Sequence, residues 1–311
     1  HKAKKLMKLT KLTLSSMDYP KEFDALIETV IHEGASDLHL SVGRHPMIRV
    51  GGFLVPLLKK PALTKEDTLG FAEVLFSKQG LQNFLEKQEA DFAYNYKDQA
   101  RFRCNGFIQQ KTVGFALRLI PRNILTLEEL ALPPILETFT EKRQGFFLVV
   151  GPVGQGKTTT LAAMVNHINN QRAEHIITIE DPIEYLFEQK KSIIDQREVG
   201  TDTGDFHTAL HSTFRQDVNV IMVGEMRGIE TISTAVSAAE TGHLVLSTLH
   251  TNNAAQTIDR IIDSFPPDQQ DQIRTQLAAS LSGIFSQRLL PRISGGRIPA
   301  YELLISNSAV A

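Results

Sequence analysis

Residues 151 to 158 of the sequence read Gly151-Pro152-Val153-Gly154-Gln155-Gly156-Lys157-Thr158, and Thr159 follows directly. The stretch matches the pattern G-x-x-x-x-G-K-[ST] in full. It lies between a hydrophobic segment, residues 146–150, and a segment with apolar residues at helical spacing. A strand before the motif and a helix after it are the context that a phosphate-binding loop (P-loop) requires. The sequence therefore predicts a loop that binds a nucleoside triphosphate.

Each residue type in this loop has a physical reason. Glycines allow the backbone to curl so that successive N–H groups point at a phosphate, and the following helix N-terminus adds partial positive charge. We expect Lys157 to bridge the β- and γ-phosphates and the Thr158 hydroxyl to ligate Mg²⁺. The expected cofactors are therefore ATP and Mg²⁺. The expected nucleotide-binding residues of the loop are Gly151, Pro152, Val153, Gly154, Gln155, Gly156, Lys157, Thr158 and Thr159.

Strands and helices alternate on both sides of the motif. Hydrophobic runs predict strands at 146–150, 176–179, 220–223 and 244–248, with helical spacing between them. Such alternation predicts an α/β fold with a mainly parallel sheet. A final helix is expected to bury Ile273, Leu277, Leu281 and Ile284.

The first half of the chain has a different pattern of apolar residues. Helical spacing from Phe23 is followed by short alternating segments, and Thr64 is placed to cap a second helix. We expect a small α+β domain over residues 18–120 and a linker over 121–134, which holds three prolines. The ATPase domain is then expected over 135–311.

Composition excludes several classes of protein. No apolar run approaches the roughly 18 residues that cross a bilayer. A single cysteine, Cys104, excludes an internal disulfide and a Cys-rich zinc site, and it fits a reducing cytoplasm. The first 16 residues carry five lysines and no acid, which leaves 28 basic and 35 acidic residues from Met17 onward. Because affinity for nucleic acid depends on many Lys and Arg contacts, no nucleic-acid partner is expected.

The basic segment itself is open to two interpretations. It lacks the continuous apolar region of a signal peptide. We interpret residues 1–17 as a basic tail or a cloning remnant, against the alternative of a basic helix at a membrane surface.

Acidic residues follow two of the predicted strands. Glu225 ends the run 220–225, and Glu180, Asp181 and Glu184 follow the strand at 176–179. Because strand ends converge on the ligand crevice of an α/β sheet, Glu225 is the first candidate to polarise an attacking water. The other acids suggest Mg²⁺ and water positioning, and a solvated acidic loop is the alternative.

Histidines and arginines give weaker signals. His243 and His250 flank the predicted strand 244–248, where one of them could sense the γ-phosphate, although either could be structural. Arg103 and Arg118 lie among apolar strand residues of the first half. Such arginines are usually surface charges, but in an oligomeric NTPase they can neutralise transition-state charge. The P-loop half shows no other arginine that we would assign to this role.

Several runs of the sequence together resemble the secretion ATPase superfamily, and most of all the PilT-type retraction motors of type IV pili. The runs are GPVGQGKT, ITIEDPIEY, VIMVGEMR, AAETGHLVLSTLHTNNAAQTIDRIIDSFP, GASDLHLSVGRHPMIRVGG and RFRCNGFIQQ.

The resemblance implies a RecA-like P-loop core behind an N-terminal PAS-like domain. It implies a homo-hexameric ring that hydrolyses ATP to power pilus retraction (twitching motility). The ring would act on an inner-membrane platform protein at the cytoplasmic face, with peripheral contact to membrane machinery only. By motif position, the catalytic residues would be Glu225, Glu184, Glu180, Arg103, Arg118 and His250, with His243 beside the nucleotide.

Three positions depart from that family's pattern. The family usually reads R-x-D-P-D before the strand that ends in Glu225 and G-E-M-R-D after it. Here Val218, Asn219 and Gly228 replace a proline and two acids, so we expect slower hydrolysis. The C-terminal helices of the family are also expected to be absent from this chain, which reads to Ala311.

Two rival functions remain. A pilus-assembly or type II secretion ATPase shares this core but usually carries a longer N-terminal region and often a Cys-rich zinc insertion. A nucleotide-binding accessory subunit with little turnover is the alternative from another class.

Overall fold

The chain divides between Pro121 and Arg122 into two units. The computed structural model describes residues 17–97, 99–293 and 296–307. Residues 1–16 of the predicted tail (1–17) lie outside the described residues.

The first unit is an antiparallel sheet of six strands with helices against it. Its strands run in the order β3-β2-β1-β6-β5-β4. Its elements are α1 (Tyr19–His32), β1 (Asp37–Leu40), β2 (Met47–Val50), β3 (Phe53–Pro56), α2 (Lys65–Leu75), α3 (Lys78–Lys87), β4 (Glu89–Tyr96), β5 (Ala100–Gln109) and β6 (Thr112–Ile120).

One face of this sheet forms the core of the first unit. Alternate residues such as Phe102 and Phe115 are buried there with Phe23 and Phe71 of the helices. The predicted cap of α2 is confirmed. The Thr64 hydroxyl accepts from the Asp67 N–H at 3.2 Å, and the Asp67 carboxylate accepts from the Thr64 N–H at 2.8 Å. This reciprocal arrangement satisfies donors that the first turn of a helix leaves free.

The second unit is a sheet of seven strands in the order β13-β12-β7-β11-β10-β8-β9. Neighbouring strands are parallel, except that β12 and β13 are antiparallel. Its elements are α4 (Ile135–Thr140), β7 (Gly145–Val150), α5 (Lys157–Gln171), β8 (His175–Glu180), β9 (Ile193–Glu198), α6 (Phe206–Thr213), β10 (Val220–Val223), α7 (Ile229–Glu240), β11 (Leu244–Leu249), α8 (Ala254–Asp263), α9 (Gln270–Ser280), β12 (Leu281–Pro291) and β13 (Arg297–Ile305).

Helices cover both faces of this sheet, so its central strands are buried throughout. Along β7, Phe146, Leu148 and Val150 pack into one hydrophobic cluster, and Phe147 and Val149 pack into the other. Parallel strands buried on both faces are expected to be continuously apolar. This is why β7, β8, β10 and β11 were predictable from hydrophobic runs.

The predicted final helix is wrong in its second half. Helix α9 ends at Ser280, and Leu281 and Ile284 belong to strand β12, which pairs in parallel with β7. The prediction failed because a strand that is buried on both faces can also carry apolar residues at positions that match helical spacing. The segment 121–134, expected as a linker, also contributes to the second unit, since Leu127 and Leu132 are buried in its core.

Within the part of the chain that the structure describes, no helix is long and apolar enough to cross a bilayer.

Candidate nucleotide site

A cavity of about 390 Å³ opens where four parallel strands end. The carboxyl ends of β7, β8, β10 and β11 all reach it, as expected of a ligand crevice in an α/β sheet. Its lining comprises Val153, Gly154, Gln155, Gly156, Lys157, Thr158, Thr159, Glu180, Asp181, Pro182, Glu184, Gly224, Glu225, Arg227, Thr248, His250 and Arg297.

The P-loop needs its glycines for two separate reasons. Gly154 and Gly156 have φ angles of 77° and 79°, which side-chain-bearing residues rarely adopt. Gly151 lies so close to the Gln287 carbonyl oxygen that a Cβ would clash with that backbone atom. The loop therefore combines a left-handed backbone with close packing against β12.

Gln287 is a P-loop contact that the sequence analysis missed. Its side chain is buried, accepts from the Thr160 hydroxyl at 2.7 Å and donates to the Gln155 carbonyl at 2.7 Å. The Gln155 side chain in turn accepts from the Leu289 N–H at 2.7 Å. No sequence signal pointed to these contacts, because they depend on β12 pairing with β7. Together these hydrogen bonds hold the P-loop against β12.

Lys157 lies at the start of α5 and is only 7% exposed. Its Nζ donates to the carbonyl oxygens of Gly151 at 2.9 Å and Pro152 at 3.0 Å, and it lies 3.2 Å from His250 Nδ1. Burial lowers the pKa of Lys157, while Glu184 and Glu225 oppose that shift. The cavity thus presents one buried cation that an anion would stabilise.

Glu225 follows β10 and points into the same cavity. Its carboxylate is 14% exposed and pairs through Oε1 with Arg227 Nη2 at 2.6 Å. Its other oxygen lies 3.7 Å from His250 Nε2. Gly224 allows β10 to approach β8 closely, since a Cβ there would lie 3.3 Å from the Ile179 oxygen. The Thr248 hydroxyl also donates to the Gly224 carbonyl at 2.6 Å, so the strand end that carries Glu225 is held on two sides.

His250 follows β11 and lies between Lys157 and Glu225. Burial and the nearby Lys157 lower the pKa of His250, and Glu225 opposes this. Since an ammonium only donates, the neutral ring would accept at Nδ1 and carry its proton at Nε2, which faces Glu225. The structure therefore brings together three residues that were predicted for the site, namely Lys157, Glu225 and His250.

Glu180 and Glu184 also line the cavity, but their environments differ. Glu180 is 3% exposed, and burial raises its pKa to about 7 despite hydrogen bonds from Thr178, Glu184 and Gln196. The Thr178 hydroxyl donates to Glu180 Oε1 at 2.7 Å. Glu184 is exposed, and its backbone N–H donates to Glu180 Oε2 at 3.3 Å. Glu180 would remain partly protonated near neutral pH, whereas Glu184 faces solvent.

The second predicted histidine, His243, does not belong to this cavity of its own chain. It precedes β11, so the six residues of that strand separate it from His250, a distance of about 20 Å at strand geometry. Its Nδ1 lies 3.1 Å from the Ala238 carbonyl, and its ring contacts Phe214. His243 therefore does not line the cavity of its own chain, and its place beside a nucleotide stays a prediction.

Two of the three departures from the family pattern also lie away from the cavity. Asn219 precedes β10, and its side-chain Oδ1 accepts from the His175 N–H at 2.8 Å, while its backbone N–H donates to the His175 carbonyl at 2.9 Å. Val218 is buried in the core. Because both sit at the amino ends of the strands, the structure gives them no contact through which they would slow hydrolysis. Gly228 is different, since it directly follows Arg227.

Arg103 and Arg118 lie on the first unit, opposite each other on β5 and β6. Both are exposed, and the Arg118 Nε donates to Asp37 Oδ1 at 2.9 Å. Asp37 is 6% exposed, so it anchors one side of that guanidinium. Their approach to a nucleotide stays a prediction.

Two arginines of the second unit were not assigned from sequence. Arg227 and Arg297 both line the cavity, and the Arg297 guanidinium lies 3.5 Å from the Gly154 carbonyl. The P-loop half thus brings two arginines to the cavity wall, although neither was assigned a role from the sequence. Arg227 could have been noticed, because it follows Glu225 by two residues in the same turn.

The sheet, the P-loop and the acids at its strand ends define a P-loop ATPase with a RecA-like core. The sequence profile of the family described as Type II/IV secretion system protein matches residues 17–296. The chain belongs to this family.

Within this family, the chain is similar to proteins of type IV pilus retraction. The chain is 45% identical over 278 residues to the type IV pilus retraction ATPase PilT of Pseudomonas aeruginosa, covering 89% of this chain and 80% of that protein. It is 44% identical over 266 residues to a twitching motility protein of Neisseria gonorrhoeae, covering 85% and 71%. A crystal structure of the pilus retraction motor PilT with bound ADP has a TM-score of 0.88 at 49% identity, covering 92% and 84%. The predicted fold class and the predicted resemblance to PilT-type ATPases are confirmed.

Proposed function

We propose that this chain hydrolyses ATP to power retraction of a type IV pilus. The observation that carries the proposal is the cavity in which the buried Lys157 of a complete P-loop faces Glu225 and His250. The relatives named above support the mechanical role, since they are a pilus retraction ATPase and a twitching motility protein.

The roles of the lining residues follow from their chemistry. The P-loop N–H groups and Lys157 would hold the phosphates. Glu225 would orient and deprotonate the attacking water, because it is the carboxylate at a strand end that faces Lys157. His250 would hold Glu225 from one side, and Glu184 would assist in positioning water. Glu180, which burial keeps partly protonated near neutral pH, would form part of the cavity wall.

Mg²⁺ fits the oxygen donors of the site. Within the described residues, no cluster of three or more His, Cys, Asp or Glu side chains could hold a metal alone. Mg²⁺ bound with a nucleotide needs only one or two protein oxygens, since phosphates and waters complete its shell. Thr158 would supply a hydroxyl, with the Asp181 and Glu184 carboxylates at the same wall of the cavity. When bound, the ion would neutralise charge on the phosphates.

The assembly is part of the same proposal. A homo-hexameric ring at the cytoplasmic face of the inner membrane, in contact with a pilus platform protein, would deliver the work of hydrolysis to the pilus. Arg103 and Arg118 would reach the nucleotide from the first unit. The similarity to PilT over most of both chains supports this arrangement.

Phosphate release by the purified full chain tests the enzymatic step. We expect turnover in the wild type and almost none in Lys157→Ala, because that change removes the ammonium that holds the phosphates. Lys142→Ala, which removes an exposed lysine outside the cavity, is the matched control and should keep full activity. Tight nucleotide binding without turnover in the wild type would instead identify an accessory subunit.

A cell assay tests the mechanical role. In a piliated bacterium that lacks its retraction ATPase, the wild-type chain should restore twitching motility, and Lys157→Ala should not. An active ATPase that forms rings yet restores no motility would argue for a different secretion machine.

A further inference from the structure

Glu225 and Arg227 lie on one side of the turn that leads from β10 to α7. Between them Met226 is 4% exposed and packs into the hydrophobic core. The residues on either side of it, Glu225 and Arg227, both line the cavity, whereas Met226 does not. The carboxylate and the guanidinium therefore share the cavity while the residue between them packs into the core.

The two charged groups are in direct contact there. Arg227 Nη2 lies 2.6 Å from Glu225 Oε1, and His250 Nε2 lies 3.7 Å from Glu225 Oε2. One cation thus engages one oxygen while the histidine faces the other. Together they restrict rotation of the carboxylate and leave each oxygen with a further lone pair.

The exposure of the pair argues against a mainly structural role. The Arg227 side chain is 76% exposed, whereas the Glu225 side chain is 14% exposed. Ion pairs with so exposed a partner contribute little to folding stability. The contact instead acts on a group that must be held in one orientation to activate water.

We infer that Arg227 is a positioning residue for hydrolysis, which holds the Glu225 carboxylate in the orientation that receives the proton of the attacking water. The inference rests on the proposed function, in which Glu225 is the base. Arg227 acts through Glu225 and does not itself touch the transferred phosphoryl group.

A double-mutant cycle with the full-length protein tests this. Because misplacing a reacting group by 1 Å costs about 10²-fold in rate, Arg227→Ala should lower kcat for phosphate release by about 10- to 100-fold with little change in KM. In the Glu225→Gln background, the same change should alter the residual rate by no more than about twofold. Smaller differences are within the deviation from additivity that independent substitutions show. Arg227→Lys, which keeps the charge without the planar fork, should recover part of the lost rate.

Arg274→Ala is the matched control, because Arg274 also pairs with a carboxylate, Asp271 at 3.0 Å, but on the exposed face of α9. It should leave kcat unchanged, and thermal unfolding should show all variants folded. Equal losses from Arg227→Ala in both backgrounds would mean that Arg227 acts directly on the phosphates, and would overturn the inference alone. Unchanged kcat in Arg227→Ala would overturn it too. Full activity in Glu225→Gln would remove the proposed base, and the inference with it.

Discussion

Lys157 and Glu180 are both buried at the cavity, and burial favours the neutral form of each. The pKa of Lys157 is lowered by burial, with Glu184 and Glu225 opposing. The pKa of Glu180 is raised by burial to about 7, with three hydrogen bonds opposing. Phosphates entering the cavity would favour the protonated form of both Lys157 and Glu180, so we expect nucleotide binding to be accompanied by proton uptake.

Glu180 makes folding stability depend on pH. Its folded-state pKa of about 7 lies above the ordinary value of 4.5, so its contribution is full below pH 4.5 and is lost as pH rises through about 7. Relative to Glu180→Gln, the free energy of unfolding of the wild type should therefore fall by about 3 kcal/mol over that range, at about 1.36 kcal/mol per pKa unit. Urea unfolding of both proteins from pH 4 to 8 measures this difference.

Thr178→Val refines the same measurement. The Thr178 hydroxyl donates to Glu180 at 2.7 Å and favours the ionised form. Its loss should move the pH-dependent region upward. Wild-type and Glu180→Gln curves that stay parallel at every pH would show that Glu180 has the same pKa in the folded protein as in the unfolded chain.

The roles of Glu225 and Glu184 can be distinguished by comparing single substitutions. Glu225→Gln should leave nucleotide affinity almost intact and lower turnover by about 10²–10⁴-fold, the range for loss of an acid–base group. Glu184→Gln should cost less, because Glu184 is exposed and lacks the His250 and Arg227 contacts that orient Glu225. Steady-state phosphate release and binding of a fluorescent nucleotide measure the two effects. A larger loss in Glu184→Gln would exchange the roles of the two residues.

At the scale of elements, helix α7 begins without a side-chain cap. Gly228 occupies the N-cap position with an extended backbone (φ −115°, ψ 154°), and no side chain accepts from the first turn. A Cβ there would meet only Glu230 Oε2, at 3.4 Å. The family pattern has an acid at this position, so the departure affects a helix start beside Arg227.

Gly228→Asn should raise the free energy of unfolding by about 0.3–0.5 kcal/mol, because asparagine supplies the missing acceptor and exceeds glycine as a cap by only a few tenths. Gly228→Asp should raise the free energy of unfolding by less at low salt, because the added carboxylate would lie near Glu230 and the two negative charges would repel. Gly228→Ala adds a Cβ without an acceptor and should gain nothing. Chemical unfolding at two salt concentrations distinguishes the three variants, and equal stability of all of them would show that this helix end is already satisfied.

At the scale of the whole molecule, part of the site was predictable because parallel strands place their carboxyl ends together. Hydrophobic runs located β7, β8, β10 and β11, and the residues at or just after their carboxyl ends include Lys157, Glu180, Glu225 and His250. The order of the strands was not needed for that step. His243 lies at the amino end of the strand that His250 follows, so only His250 lines the cavity of its own chain.

The remaining site residues depend on pairings that no local pattern records. Gln287 and Arg297 reach the P-loop only because β12 lies beside β7 and carries β13 at the sheet edge. The apolar spacing around Leu281 suggested a helix, so the hairpin of β12 and β13 was missed. A turn signal was present at Gly295-Gly296, where paired glycines favour a hairpin between two apolar runs.

The arginines of the first unit supply the last prediction. Arg103 and Arg118 are paired across β5 and β6, and Asp37 holds Arg118 by its Nε while 69% of that side chain stays exposed. A guanidinium anchored at one side keeps its other N–H groups for a phosphate. An arginine finger contributes about 10³–10⁵ in rate, so substitution of either arginine should depress turnover far more than nucleotide affinity.

Mixed rings test whether these arginines complete the site of a neighbouring subunit. Arg118→Ala subunits keep an intact P-loop but lack the finger, and Lys157→Ala subunits keep the finger but lack the cradle. If the finger acts between chains, an intact P-loop placed next to an intact finger forms a working site, so mixtures should regain phosphate release that neither variant shows alone. The activity should depend on the mixing ratio and vanish at both extremes. If the finger acts within its own chain, every subunit lacks one of the two parts and no mixture can recover, and a site shared between subunits would then have to be abandoned.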